Sequence, residues 1–239
     1  MFVVLLYIRT EPNVETMEKI IDLEYIQRTA PLFVQALDVT LRLALGGIFL
    51  AILIGIVCSS ILHFHVPVLR HLIMVYVQIS RNVPVLVFLF FLYFGLVQIH
   101  IILEAKLCAI LGLGMMGGAY MTESFRAGLI AVDKVQIESA RSIGLSPLQI
   151  LWHILFPQAF AIVLPNMLSN AHAILMETAV CGFIAVPELM CVTRDQIGMY
   201  YKTYESFLML TVSYVVLLLP LSLIAGYTER RVRNAQFGR

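Results

Sequence analysis

Glu177 is the charged side chain that lies deepest within an apolar stretch of this 239-residue chain, about ten residues from either end of the stretch 166–190. A carboxylate at that depth in a membrane costs several kcal/mol unless it is paired, protonated or in contact with water. It could line a water-filled path and attract a cationic or amine group, with the Thr178 hydroxyl as a second contact. It could equally pair with a second protein chain.

A second group of polar residues lies between apolar stretches, in the segment 133–157, DKVQIESARSIGLSPLQILWHILFP. Its first half has apolar residues at helical spacing, and Gly144 follows where a helix would end in a left-handed residue. Ser146 and Gln149 have the spacing of a capping box, with Pro147 at the first helical position. The segment therefore predicts a short helix, a glycine hinge and a second, capped helix.

The apolar side of the second short helix carries Leu148, Leu151 and Trp152. Helical spacing places the three side chains together. We expect them to pack against the membrane domain. Glu138, on the first helix, could contact a partner protein or could be a solvated charge.

Composition defines the class of protein. Hydrophobic residues make up 60% of the chain and charged residues 13%, with a mean hydropathy of +0.91, so this is an integral membrane protein. A net charge of +1 argues against a nucleic-acid partner, which needs a clustered basic face. The four cysteines have no metal-binding spacing and are expected to be buried thiols; they are Cys58, Cys108, Cys181 and Cys191.

Catalytic motifs are lacking from the sequence. It has no phosphate-binding G-x-x-x-x-G-K-[ST] loop, nucleophile elbow, paired-histidine metal motif or redox CxxC. We therefore expect a non-catalytic chain without a metal or cofactor of its own.

Apolar stretches predict an all-α membrane protein with five transmembrane helices. The opening run MFVVLLYI is too short to span a membrane and lacks a signal-peptide cleavage pattern. Residues 1–33 are expected to form an extracytoplasmic segment, 34–231 the membrane domain, and 232–239 a cytoplasmic tail. The clear spans are Leu43–Leu62, Leu107–Met121, Asn166–Met190 and Phe207–Tyr227.

The remaining span is irregular, because Pro84 follows Arg81, Asn82 and Val83 and predicts a break or a helix start. Either Arg81 marks the cytoplasmic interface of a short tilted helix, or the preceding segment enters the membrane and Arg81 lies in a cavity. The sequence leaves both open.

The third span contains Gly114 and Gly118, a pair of small residues that allows close helix packing, and it runs into Glu123 and Arg126. Those two side chains are three residues apart and can pair on one helical face. They could face a substrate or form a structural pair at the inner end, and the second is favoured.

The charge distribution predicts an outer N-terminus and an inner C-terminus, since basic residues concentrate in loops that would be cytoplasmic. The inner ones are Arg70, Arg126, Lys134, Arg141, Arg230, Arg231, Arg233 and Arg239, with Arg81 as a further candidate, against Lys106, Arg194 and Lys202 in the outer connections. The outer N-terminal segment carries Arg9, Lys19 and Arg28, but its five acidic residues balance them.

The segment 133–157 resembles the cytoplasmic loop with an EAA motif found in permeases of ABC importers, through Glu138, Ser139, Ala140, Gly144 and Pro157. Ser139 replaces the usual first alanine and Val135 a common glycine. From about Asp38 to Arg231 the chain is similar to the polar amino acid branch, the histidine and glutamine type. The other stretches that carry this resemblance are Arg81-Asn82-Val83-Pro84 with FFLYFGL, Ala119-Tyr120 with Glu123 and Arg126, and Thr178 with Pro187-Glu188-Leu189.

This resemblance implies a MetI-like fold in a bacterial cytoplasmic membrane. It implies two ABC ATPase subunits that bind ATP and Mg, a second permease chain, identical or homologous, and an extracytoplasmic solute-binding protein. The five loop residues would then couple to the ATPase, and Glu177, Thr178, Arg81, Asn82 and Glu123 become candidates for the path of an amino acid. A secondary transporter or channel not coupled to ATP is the alternative, but the sequence lacks the two related halves usual in secondary transporters.

Overall fold

A computed structural model describes residues 21–64 and 66–237, and this part of the chain is helical without a β-strand. It contains four helices long and apolar enough to cross a membrane, and a bent helix pair that can form a fifth span. The predicted fold class is therefore confirmed. The helices are α1 Leu23–His63, α2 Pro67–Asn82, α3 Val85–Phe90, α4 Ala105–Ala131, α5 Lys134–Ser142, α6 Pro147–Ile150, α7 Phe156–Glu177, α8 Leu189–Tyr200 and α9 Thr203–Phe237.

Helix α1 is longer than a membrane requires. Its 41 residues begin after the N-cap Asp22, whose carboxylate accepts from the Tyr25 N–H. At 1.5 Å per residue the helix is about 60 Å long, whereas a bilayer with its headgroups measures about 40–45 Å. It contains the predicted span 43–62 and continues through Pro31 and the predicted domain boundary at 33/34. The rest of the predicted N-terminal segment, residues 1–20, lies outside the described residues.

Helix α4 lies at the centre of the fold and packs against α1 through its glycines. A Cβ atom added at Gly114 would lie 2.5 Å from Leu50, and one at Gly118 would lie 2.7 Å from Ile54. These contacts leave no room for a side chain, so the small residues serve close packing of α1 on α4. The main hydrophobic core extends from this contact to α7.

The chain breaks at Val83 and Pro84, as predicted. Helix α2 ends at Asn82, and the α3 segment leaves it at an angle of 109°. Helix α3 continues through a π turn, Phe91–Gly95, and a 3₁₀ turn, Leu96–Ile99. Because proline lacks an N–H and disfavours helical geometry in the preceding residue, the bend is encoded locally.

The predicted fourth span, Asn166–Met190, is wrong in its boundaries. Helical structure instead runs from Pro147 to Ile184, through α6, a π turn at Leu151–Leu155, α7 and a 3₁₀ segment at Thr178–Ile184. The π turn widens the helix just before Pro157, and Pro165 lies within α7 without ending it. Glu177 is therefore the last residue of α7, not the centre of a span.

Helix α8 and the turn between α8 and α9 contact the start of α1. Lys202, between α8 and α9, forms a 2.9 Å ion pair with Asp22, and the Tyr25 hydroxyl donates to Gln196 in α8. The Lys202 ammonium lowers the pKa of Asp22, and Asp22 raises the pKa of Lys202. Helix α9 contains the predicted span 207–227 and continues to Phe237, through most of the predicted tail.

Candidate functional site

The hairpin between α4 and α7 has the predicted local structure. Asp133 caps α5 by accepting from the Val135 N–H. Gly144 follows with φ of +83°, a left-handed conformation that glycine adopts without a Cβ penalty. The Ser146 hydroxyl accepts from the Gln149 N–H, and the Gln149 side chain accepts from the Ser146 N–H. The glycine hinge and the capping box are thus confirmed.

The hairpin has a buried side and an exposed side. Ala140, Ile150 and Leu151 are buried and join the main hydrophobic core. On the other side Ile143 is 77% exposed, and Val135, Leu148 and Trp152 are also exposed. The prediction that Leu148 and Trp152 pack against the membrane domain is therefore wrong, although it holds for Leu151. Trp152 stacks on Phe156 of the same helical run, at a ring distance of 4.9 Å.

The five predicted coupling residues divide in the same way. Ala140 is buried, so it anchors the hairpin and its side chain is not available to a partner. The other four are exposed: Glu138, Ser139, Gly144 and Pro157. They belong to the same segment, 133–157, as the exposed apolar side chains Val135, Ile143, Leu148 and Trp152. We call the exposed residues of this segment the hairpin surface.

Glu177 lines a small cavity between α4 and α7. The cavity measures about 120 Å³, and its polar lining comes from Glu177, Asn170 and Tyr120. Its apolar lining is Met116, Gly117, Ala173 and Ile174. A half-buried carboxylate, an amide and a phenol hydroxyl within otherwise apolar helices can together bind a small ligand that carries an amine and hydrogen-bonding groups.

The other residues predicted to line a substrate path do not line this cavity. Thr178 is fully buried and its hydroxyl donates to the Leu175 carbonyl at 2.7 Å, so it does not line the cavity. The Arg81 guanidinium lies 5.6 Å from the centre of the Tyr120 ring, which connects it to the cavity lining. Asn82 donates to the Gln78 carbonyl in its own helix. Glu123 forms the predicted ion pair with Arg126 at 2.8 Å.

A hydrogen-bonded contact that the sequence analysis missed holds α4 against α7 beside the cavity. The side-chain amides of Asn166 and Asn170 donate to the Ser124 hydroxyl oxygen at 2.9 and 3.1 Å. Asn166, Asn170 and Glu177 recur at spacings of four and seven residues, which is one face of a helix. The sequence could have predicted a polar helix face from that spacing. It could not have predicted the partner of this face, because Ser124 lies on α4, 42 residues before Asn166.

The hairpin joins the two helices that line the cavity. Helix α4 leads into it at Asp133, and the helical run that carries Glu177 leaves it at Pro147. The two helices approach closely near the hairpin, where a Cβ at Gly128 would overlap Val163. A displacement of the hairpin can therefore be passed to both helices that line the cavity.

Beyond the cavity, the turn after Ile184 contains a buried carboxylate. Glu188 is fully buried and caps α8 by accepting from the N–H groups of Met190 and Cys191, at 2.7 and 2.6 Å. Burial raises its pKa to about 7, against the opposing effect of the two N–H donors. A Cβ at Gly182 would lie 2.6 Å from the carboxylate, so glycine is required for this approach.

The sequence matches a family model described as the inner membrane component of binding-protein-dependent transport systems, over residues 47–234. Among curated relatives, the probable glutamine ABC transporter permease protein GlnP of Bacillus subtilis is 37% identical over 81% of this chain and 90% of its own length. The probable amino-acid ABC transporter permease protein PatM of Vibrio harveyi is 28% identical over 90% of this chain and 97% of its own.

Solved structures show the same fold. One described as an amino acid ABC transporter with histidines has a TM-score of 0.79 and 26% identity, over 88% of this chain and 99% of its own. An inward-facing methionine ABC transporter has a TM-score of 0.70 and 20% identity, over 86% of this chain and 97% of its own.

Proposed function

The chain belongs to the family of inner membrane components of binding-protein-dependent transport systems, and we propose that it is a permease subunit carrying polar amino acids into the cytoplasm by alternating access. Its partners in this proposal are two ABC ATPases, a second permease chain, identical or homologous, and an extracytoplasmic solute-binding protein. ATP and Mg would bind to the ATPases, and this chain would hold no cofactor. The family does not support the secondary transporter considered from the sequence.

The observation that carries this proposal is the connection of the hairpin to α4 and α7, which together line the Glu177 cavity. An ATPase bound to the hairpin surface could displace it, and the helical run from Pro147 to Ile184 would transmit the displacement to Glu177. The exposed apolar residues, including Trp152 and Ile143, support a protein partner there, since aromatic and apolar side chains dominate binding energy at interfaces.

The substrate class is proposed from the cavity chemistry. Glu177 would attract the amine of an amino acid, and Asn170 and Tyr120 supply hydrogen-bonding groups beside it. Arg81, stacked near Tyr120, would favour the carboxylate end. The names of the relatives, which include glutamine and amino-acid permeases, fit such a substrate.

Topology follows from the same proposal: the hairpin and the end of α9 would face the cytoplasm, and the Asp22–Lys202 pair would lie outside. A cysteine introduced at Ser139, which is exposed, tests this in intact cells. Labelling by a membrane-impermeant maleimide from outside would contradict the topology.

The test of substrate class is Glu177→Gln in the complex reconstituted into vesicles. We expect an intact complex whose uptake ratio of basic to neutral amino acids falls, because the amide keeps the shape but loses the charge. The control is Glu104→Gln, at an exposed carboxylate before α4. If Glu177→Gln dissociates the complex without changing that ratio, Glu177 is a structural partner of the second permease and the substrate proposal fails.

A further inference from the structure

A second cavity lies at the end of the helices nearest the hairpin, between the end of α1, the start of α2 and the end of α4. It measures about 260 Å³. Its polar lining includes Arg70, Gln78, Glu123 and Arg126, and Met74 and Ile130 contribute apolar surface. Because α4 leads directly into the hairpin, this cavity faces the same side of the membrane as the hairpin.

The charges in the cavity favour an anion. Arg126 is paired with Glu123, so these two side chains largely neutralise one another. Arg70 is exposed, and the described part of the chain offers it no ion-pair partner within 4.0 Å. In the cavity, the positive charge of Arg70 therefore has no carboxylate beside it among the described residues. The Arg126 guanidinium still has N–H groups that do not bond to Glu123, and the Gln78 amide is a further donor. Phosphate oxygens can accept from two guanidinium groups at once.

Two of the helices that line the cavity, α1 and α2, also expose apolar surface. Helix α1 exposes Leu45, Phe49, Leu53 and Val57 at four-residue spacing, which is one side of a helix. Helix α2 exposes Val68, Leu72, Val75 and Ile79 on the side away from the core. The helices that line the cavity thus combine basic side chains at the cavity with exposed apolar surface that can contact long hydrocarbon chains.

We propose that this cavity binds the phosphate of an anionic phospholipid from the inner leaflet, with Arg70 and Arg126 on the phosphate and the acyl chains along α1 and α2. The proposal rests on the topology proposed above, which places the cavity on the cytoplasmic side. Basic pockets between transmembrane helices on that side are suited to lipid headgroups. The lipid would fix α2 relative to α4, since the cavity lies between them.

The test is native mass spectrometry of the purified complex, which counts bound phosphatidylglycerol after extraction into detergent. Arg70→Gln is the main variant, because replacing an exposed side chain should leave the fold intact. We expect its retention of phosphatidylglycerol to be about fivefold weaker, the value of one basic contact at a membrane surface. Arg70→Lys keeps the charge and should retain the lipid. Arg230→Gln, an equal charge change on α9 outside the cavity, is the matched control.

Equal retention by Arg70→Gln and wild type would overturn the proposal. Competition by millimolar inorganic phosphate, without a preference for phosphatidylglycerol over phosphatidylcholine, would also overturn it and assign the cavity to a free oxyanion. Loss of transport by other variants would not affect the lipid count, so failure here is distinguishable from failure of the proposed function. External labelling of a cysteine at Ser139, by contrast, would contradict the topology on which both the lipid proposal and the proposed function depend.

Discussion

The hairpin surface and the Glu177 cavity are opposite in their chemistry. The hairpin exposes apolar side chains such as Trp152 and Ile143, and in the proposed topology these side chains lie in water on the cytoplasmic side. The cavity encloses Glu177 and Asn170 among apolar helices. In the proposed function, each arrangement is unfavourable for the isolated chain and becomes favourable with its partner, a protein at the hairpin and a small polar molecule in the cavity.

The largest expected effect is at the hairpin surface. Trp152→Ala should weaken association with the ATPase at least tenfold, because an exposed aromatic residue at an interface is a typical hot spot. Copurification and quantitative pull-down measure it. The control is Phe49→Ala, which removes an aromatic side chain exposed to a similar degree on α1. If the two variants bind the ATPase equally well, Trp152 is not part of the interface and the contrast between the two regions fails.

The hinge of the hairpin should give the next largest effect. Gly144→Val places a β-branched residue at φ of +83°, which costs about 1–2 kcal/mol of local conformational strain. No atom would contact the new Cβ, so the effect is due to the backbone alone. We expect uptake to fall several-fold while the protein still inserts. Gly198→Val is matched, since that Cβ is also free of contacts and φ is not positive. Equal uptake by both variants would show that the left-handed hinge is dispensable.

Beside the cavity, Ser124→Ala removes the acceptor shared by Asn166 and Asn170. Each hydrogen bond is worth about 1 kcal/mol, so the thermal midpoint in detergent should fall by a few degrees. Ser169→Ala is the control, because that exposed hydroxyl donates to the Pro165 carbonyl in its own helix. A fall of the same size in both variants would mean that the α4–α7 contact does not depend on Ser124.

The smallest effect concerns pH and the turn beyond the cavity. Burial raises the pKa of Glu188 to about 7 in the folded protein, from an ordinary value of 4.5. The folded state therefore binds the proton more tightly, and the stabilisation is full below about pH 4.5 and is lost as pH rises through 7. Between pH 5.5 and 8 the thermal midpoint should fall further in wild type than in Glu188→Gln. Parallel curves would show that Glu188 does not titrate in this range.

Features that depend on neighbouring residues were predicted well. The cap at Ser146, the hinge at Gly144 and the break at Pro84 each follow from side chains within a few positions. The exposure of Trp152 and Leu148 could not be predicted in the same way. An apolar side chain that meets a partner protein has the same local pattern as one that meets the core, so only the fold distinguishes them.

The cavity was predicted only in part. Glu177 stood out because a carboxylate in an apolar stretch is costly, whereas its position in the span was misjudged. The predicted start at Asn166 follows Pro165, but the helix continues through this proline and begins at Pro147. Ser124 carries no local signal, since its role depends on α4 and α7 meeting after folding. Sequence reasoning found the unusual residue and missed its surroundings.

The helical run from the hairpin to Glu177 includes the π turn at Leu151–Leu155. The number of residues in this run sets the direction in which the Glu177 side chain points relative to the hairpin. Each residue of a helix advances the direction of the next side chain by about 100°. Deleting one residue from the regular α-helix between this turn and Asn166 would keep every side chain of the cavity but, with the hairpin held in place, would rotate Glu177 away from Tyr120 by about that angle. In the proposed function, the number of residues between the hairpin and the cavity therefore matters as much as their identity, and we expect a point substitution there to be tolerated more readily than a change in length.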